Sequence, residues 1–210
     1  MSSVKRKMIL PAIFIAVFAL SRIPRLMPPD FSVAYAFAFC AGVFFRGAVA
    51  WWLPLATMLV TDVALNVFYY HDSPFGFYLL VNYAVYALLI ALGKGFGPKA
   101  PFLKLLAGGI LGALIFYFVT NTLSWLQDPA YAKTIAGWIQ ALTTGRPEWH
   151  PTTWEMFRNT LLSGGLFSAL FSVAGKLTAE SPADKTAGAR DGEQPEAEGE
   201  AETKPEEAKA

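Results

Sequence analysis

Long apolar runs recur along this chain, and their number and length decide what it can fold into. Six stand out: about Met8 to Leu20, Phe31 to Phe45, Trp51 to Tyr69, Phe77 to Leu92, Leu103 to Leu126 and Phe157 to Leu177. In each, apolar residues run all round the helix instead of forming the single stripe of a helix on a soluble domain. Only 16% of residues are charged while 54% are hydrophobic and 15% aromatic, against about 25% charged in soluble domains. The pattern predicts an all-α fold, a polytopic membrane protein whose residues 1–178 form a bundle of six transmembrane helices. The first two runs are short for a hydrocarbon core about 30 Å thick. They are therefore shielded by neighbours, extended by flanking residues, or partly re-entrant.

Charge placement orients the bundle. Six crossings put both termini on one side, together with Lys5, Arg6, Lys7, Arg46, Lys94, Lys99, Lys104 and Lys176. The opposite side receives Arg22, Arg25, Lys133, Arg146 and Arg158. Basic residues close to helix ends stay in the cytoplasm, so both termini are expected there, in a bacterial inner (cytoplasmic) membrane. The first run follows "VKRK" as a signal peptide would, but "SRIPRLMPPD" and no small-residue cleavage site comes after it, so it reads as a retained first helix. Residues 179–210 change composition: Glu180 to Ala210 holds ten acids against four bases and no aromatic residue. Such a segment buries too little to order itself and is expected to be a disordered acidic cytoplasmic tail.

The longest connection, Gln127 to Glu155, lies outside. It holds a short amphipathic helix around Tyr131 to Leu142, with Trp138, Trp149 and Trp154 spaced as interfacial aromatics. It reads equally as a lid over an external cavity or as an aromatic anchor in the headgroup region.

Catalytic and metal signatures are missing: there is no HExxH, Walker loop or CxxC, and a single cysteine, Cys40, permits no internal disulfide. "GKGFG" lacks a following Lys-Ser or Lys-Thr and reads as a turn at a helix end. The expectation is a protein that is not an enzyme and uses neither cofactor nor metal; nothing marks it for nucleic acid. The unusual feature is polar residues inside the spans. Asp62 and Asn66 sit four residues apart on the third helix, sharing a face. Asn82 and Tyr86 repeat the spacing on the fourth, Asn121 and Trp125 on the fifth, and Asn159 opens the sixth. All fall in the outer halves of their helices, which suggests a ring around one outward-facing volume. An ionised aspartate near the bilayer centre costs about 2.5–3.5 kcal/mol on insertion scales, so Asp62 must face the bundle. It stays neutral, bonds Asn82 or Asn121, or pairs with Arg22, Arg25 or Arg46. Pocket wall and interhelical tie both remain open for it.

Small residues mark packing faces: Ala12 and Ala16 in "PAIFIAVFAL", and Gly108 with Gly112 in "AGGILGAL". Body length, six spans, cytoplasmic termini and the first-helix alanine pair together resemble the substrate-capture (S) components of energy-coupling factor transporters. The segments "PPDFSVAYAFAFCAGVFF", "PLATMLVTDVAL" and "FVTNTLSWL" are similar to those of a related group of uncharacterised six-helix bacterial membrane proteins. The resemblance covers residues 8 to 177. It implies capture of a vitamin-like small molecule or precursor from outside, and docking through Ala12 and Ala16 on an energy-coupling membrane protein driven by ATPases. Two rival readings are a membrane scaffold or accessory subunit of a larger complex, and an integral-membrane lipid-modifying enzyme using His150, Glu148 and Asp128.

Overall fold

The computed structural model describes residues 3–148 and 151–178, which belong to one compact unit. The expected tail, residues 179–210, and two loop residues of interest, Trp149 and His150, lie outside the described residues. Seven α-helices follow in order: α1 (Ser3–Ser21), α2 (Ala34–Phe44), α3 (Val49–Leu65), α4 (Phe77–Lys94), α5 (Phe102–Gln127), α6 (Ile135–Leu142) and α7 (Thr153–Thr178). A π-helical turn, Asn66–Tyr70, extends α3. Among the described residues there is no strand. The six long runs correspond to α1 to α5 and α7, and the amphipathic segment of the long loop to α6. Among the described residues four helices are long and apolar enough to cross a membrane: Val49–Tyr70, Phe77–Lys94, Phe102–Gln127 and Thr153–Thr178. Ile9–Ser21 and Ala34–Phe44 are apolar but shorter.

Helix α7 begins four residues before the apolar run does. Its start is fixed by a Thr-x-x-Glu capping box: the Glu155 carboxylate accepts from the Thr152 backbone N–H at 2.7 Å, and the Glu155 N–H reaches the Thr152 hydroxyl at 3.4 Å. Along α7 the small and polar residues Ser163, Gly164, Ser168, Ser172 and Gly175 face inward and are buried. Leu162, Leu166, Leu170, Val173 and Leu177 face outward and are exposed. That is the reverse of a soluble helix. It suits hydrocarbon surroundings, where small residues bring helices together and Leu side chains meet lipid.

Helix α2 is the hub. With 11 residues it is about 16 Å long, and Ala34 to Val43 are all buried. It packs against α3, α4, α5 and α7, which resolves the shortness of this run: α2 is sheathed by longer helices. Its closest approach is to α4. A Cβ on Gly42 would overlap the Ile90 carbonyl, and one on Gly93 would overlap the Phe39 carbonyl, so the two backbones touch where both helices carry glycine. Phe14 and Phe18 of α1 dock on the same centre, with Phe14 stacked on Phe171 at 4.0 Å and Phe18 5.3 Å from Phe37. Gly108 serves the same packing, facing the Phe39 ring.

Replacing Gly42 by Ala should therefore destabilise the bundle by about 3 kcal/mol or more, at or beyond the upper end of ordinary overpacking, because the added methyl meets backbone and not a movable side chain. Gly97→Ala, at a position open to solvent, should change stability by less than about 0.5 kcal/mol. Thermal unfolding of both variants in one detergent checks this; equal midpoints would show that α2 and α4 do not meet through glycine.

Candidate functional site

The polar residues gather at the end of the bundle where α3 and α5 finish, α4 and α7 begin, and α6 lies across. Asp62, in the last turn of α3, is paired with Arg22, the first residue after α1. The other carboxylate oxygen accepts from the Tyr83 hydroxyl of α4 at 2.9 Å. One carboxylate thus ties three helices. Both members of the pair keep some exposure, 29% for the Arg22 side chain and 18% for Asp62. Arg22 also lies 5.8 Å over the Phe18 ring. From Tyr83 an aromatic row runs inward: Tyr83 meets Tyr86 edge-on at 5.6 Å, Tyr86 stacks on Phe116 at 5.4 Å, and Phe116 lies 4.7 Å from Tyr35. The partner of Asp62 is an arginine from the α1 end, and neither Asn82 nor Asn121 bonds it.

At the same end of the bundle is a cavity of about 740 Å³. Tyr78 of α4, Asn121 and Ser124 of α5, and Thr153 of α7 supply its walls, and Asp128 and Arg146 close it from the long loop. The loop is held by polar contacts. Arg146 bonds Asp128 at 3.1 Å and Glu148 through Nε at 2.8 Å. The Lys133 ammonium donates to the Asp128 carbonyl at 2.7 Å and to the Trp125 carbonyl. Gly145, at φ +71°, turns the chain after α6, and its carbonyl accepts from Gln140 Nε2 at 3.0 Å. The Ala130 N–H, then Arg146, hold the Asp128 carboxyl below the usual carboxylate range. Glu148 is lowered in the same way, by its own backbone N–H and by Arg146.

Of the seven residues expected to form one ring, Asn121 lines this cavity; Asp62, Asn66, Asn82, Tyr86, Trp125 and Asn159 are not among its described lining residues. Their polar atoms have other work. The Trp125 indole N–H donates to the Ala132 carbonyl at 2.8 Å and so anchors the loop. Asn159 Nδ2 donates to the Pro29 carbonyl at 2.9 Å, tying α7 to the connection between α1 and α2. Asn121 Nδ2 donates to the Tyr117 carbonyl at 2.9 Å on its own helix. Asn66 opens the π turn, and its carbonyl accepts from the Asp72 N–H at 2.9 Å; Asn82 is half-buried on α4. Sequence reasoning passed over Tyr78, Ser124 and Arg146, although Arg146 between two loop acids was visible as a clamp. Ala12 and Ala16 are exposed on α1, opposite the buried Phe14 and Phe18. Among the described residues no group of three His, Cys, Asp or Glu side chains is placed to hold a metal ion.

Removing either partner of the Arg22–Asp62 pair leaves a charge in apolar surroundings. Fully buried pairs lose about 3–5 kcal/mol in that event; with the exposure seen here, Arg22→Met is expected to cost about 1–3 kcal/mol, and the double variant Arg22→Met/Asp62→Leu to regain most of it. Tyr83→Phe should cost about 1 kcal/mol, one hydrogen bond. Unfolding midpoints arranged as a double-variant cycle measure the coupling; additive losses would mean that the pair contributes nothing.

No curated protein and no solved structure matches this chain. A family model does, over residues 2–184, under the description "family of unknown function (DUF6580)". The chain belongs to that family.

Proposed function

We propose that this protein is a substrate-binding membrane subunit that captures a small molecule, vitamin-like or a precursor of one, from outside the cell and works with a separate energising module. In this reading it lies in the bacterial cytoplasmic membrane with six crossings and both termini in the cytoplasm. The α6 end then faces outward. The observation that carries the reading is the cavity of about 740 Å³ under a hydrogen-bonded loop, within the roughly 300–1,000 Å³ typical of small-molecule sites. Its polar groups come from three helices and a loop, the arrangement of a site that binds and then encloses. Arg146 is already engaged by Asp128 and Glu148, so no strong uncompensated charge is offered to a ligand. A neutral or zwitterionic molecule suits it better than a phosphate. The exposed Ala12 and Ala16 face of α1 supports docking on an energy-coupling membrane protein and its ATPases, because small residues let a second helix approach closely.

A second reading, a membrane scaffold or accessory subunit, draws support from Trp125 and Asn159, whose polar groups are spent on backbone carbonyls. The lipid-modifying enzyme draws less, since Asp128 and Glu148 are locked on one arginine.

A thermal-shift screen of purified protein against water-soluble vitamins and their precursors separates these readings. A ligand at 100 times its Kd adds about 2.7 kcal/mol of stability. Asn121→Ala should abolish the shift with little change in the ligand-free midpoint, whereas Asn66→Ala, outside the cavity, should keep it. The shift should be the same at pH 8 and pH 5. Both Asp128 and Glu148 are held below the usual carboxylate range, so both stay ionised at these two pH values, and their contribution is lost only as pH falls through that lowered range. A screen without any shift, or a shift that Asn121→Ala leaves intact, would sink the capture reading and favour the scaffold.

A further inference from the structure

At the end of the bundle away from α6, α2 and α4 finish, α3 and α5 begin and α7 stops. Arg46, Lys94, Lys99, Lys104 and Lys176 are all exposed there. Among the described residues no carboxylate accompanies them: Asp30, Asp62, Asp72, Asp128, Glu148 and Glu155 all belong to the α6 end. Two of the five cations rest on rings, Lys94 at 5.7 Å over Trp51 and Lys104 at 5.9 Å over Phe96. Lys176 donates to the Ala100 carbonyl at 2.7 Å. None of these contacts supplies a negative charge.

Three of the cations gather about the connection between α4 and α5. Lys99 stands in it, next to the Ala100 that Lys176 bonds from the end of α7, and Lys104 reaches back from the first turn of α5 to Phe96 within it. Two of these lysines have an exposed leucine beside them in sequence: Leu103 precedes Lys104 and is 74% exposed, and Leu177 follows Lys176 and is 75% exposed. Helices α5 and α7 are both long and apolar enough to cross a membrane. The leucines therefore mark the border of the hydrocarbon, and the lysines reach the headgroup level just beyond it. A partner that meets both must carry negative charge and hydrocarbon in one molecule. An acidic polypeptide matches the cations alone, and inorganic phosphate leaves the leucines uncovered.

We propose that this end binds an anionic glycerophospholipid, its phosphate among Lys99, Lys104 and Lys176 and its acyl chains along α5 and α7 past Leu103 and Leu177. Lysine suits the task as a compact point charge on a long apolar stem, which reaches a phosphate from beside the hydrocarbon. The interaction goes beyond the capture reading and does not rest on it. It holds this end of the bundle in a negatively charged leaflet, whatever the α6 end binds.

The test is native mass spectrometry of the full chain in a non-ionic detergent, titrated with dioleoylphosphatidylglycerol or with dioleoylphosphatidylcholine, whose acyl chains are identical. Phosphatidylglycerol should bind with an apparent Kd about tenfold lower. The variant Lys99→Gln/Lys104→Gln/Lys176→Gln should erase that difference, while Arg25→Gln/Arg158→Gln, at two exposed cations of the other end, should keep it. If loss of the Lys176 bond lowers the unfolding midpoint, Lys99→Gln/Lys104→Gln makes the same test, with the preference reduced at least about threefold. Glycerophosphoglycerol, the head without the chains, should compete weakly. Equal affinity for the two lipids would overturn the proposal and leave the cations to an acidic polypeptide. A preference that survives the lysine variants, or full competition by glycerophosphoglycerol, would overturn it as well.

Discussion

Everything else in this bundle is arranged around a helix too short to cross a membrane. Helix α2 offers about 16 Å of backbone and ten consecutive buried residues, so its ends cannot reach both headgroup regions and its sides cannot face water. It must be wrapped. The wrapping is made tight by glycine against glycine: Gly42 and Gly93 bring α2 and α4 to backbone contact, and the gain is dispersion between closely approached main chains, because in lipid no hydrophobic force drives helices together. Wrapping α2 then fixes the rotation of each neighbour. Inward faces of α5 and α7 become small or polar, and their leucines are turned outward.

Rotation in turn decides where the polar groups end up. Asp62 is directed towards the α1 end, where Arg22 and Tyr83 satisfy both carboxylate oxygens. In surroundings of low dielectric an unpaired carboxylate is costly, whereas a pair with an added hydrogen bond is tolerated. The same rotation carries Asn121, Ser124 and Thr153 to the cavity under the loop. One face of the α6 end is therefore a closed interhelical tie, and the adjacent face is open space lined by groups that can bind.

Helix existence was legible in the sequence because apolar run length and the punctuation of "PPD", "HDSPFG" and "GKGFGPKAP" report directly on chain segments that must leave or stay in a helix. The short second run was legible as a problem, and the structure supplies one of the three solutions open to it. The start of α7 was legible too, in Thr152-x-x-Glu155, a polar capping signal that apolar run length does not report. Site membership was harder. Spacing of four residues shows that Asp62 and Asn66 share a face, but not which way that face turns, since the turn is set by partners such as Gly93 that lie far along the chain. Nor does the sequence tell whether an amide faces a cavity or a neighbouring carbonyl. Trp125 and Asn159 took the second course because backbone acceptors in the loops at Ala132 and Pro29 lay within reach.

Capture from outside requires that the cavity open to the outer side of the membrane. Ser124 lines it, and the native thiol, Cys40, is fully buried and so should stay inert to a polar reagent. Intact cells expressing Ser124→Cys should be labelled by a membrane-impermeant maleimide, while Gly97→Cys, in the connection between α4 and α5, should react only after permeabilisation. Labelling of Gly97→Cys in intact cells with Ser124→Cys silent until they are opened would place the cavity on the cytoplasmic side and contradict capture from outside.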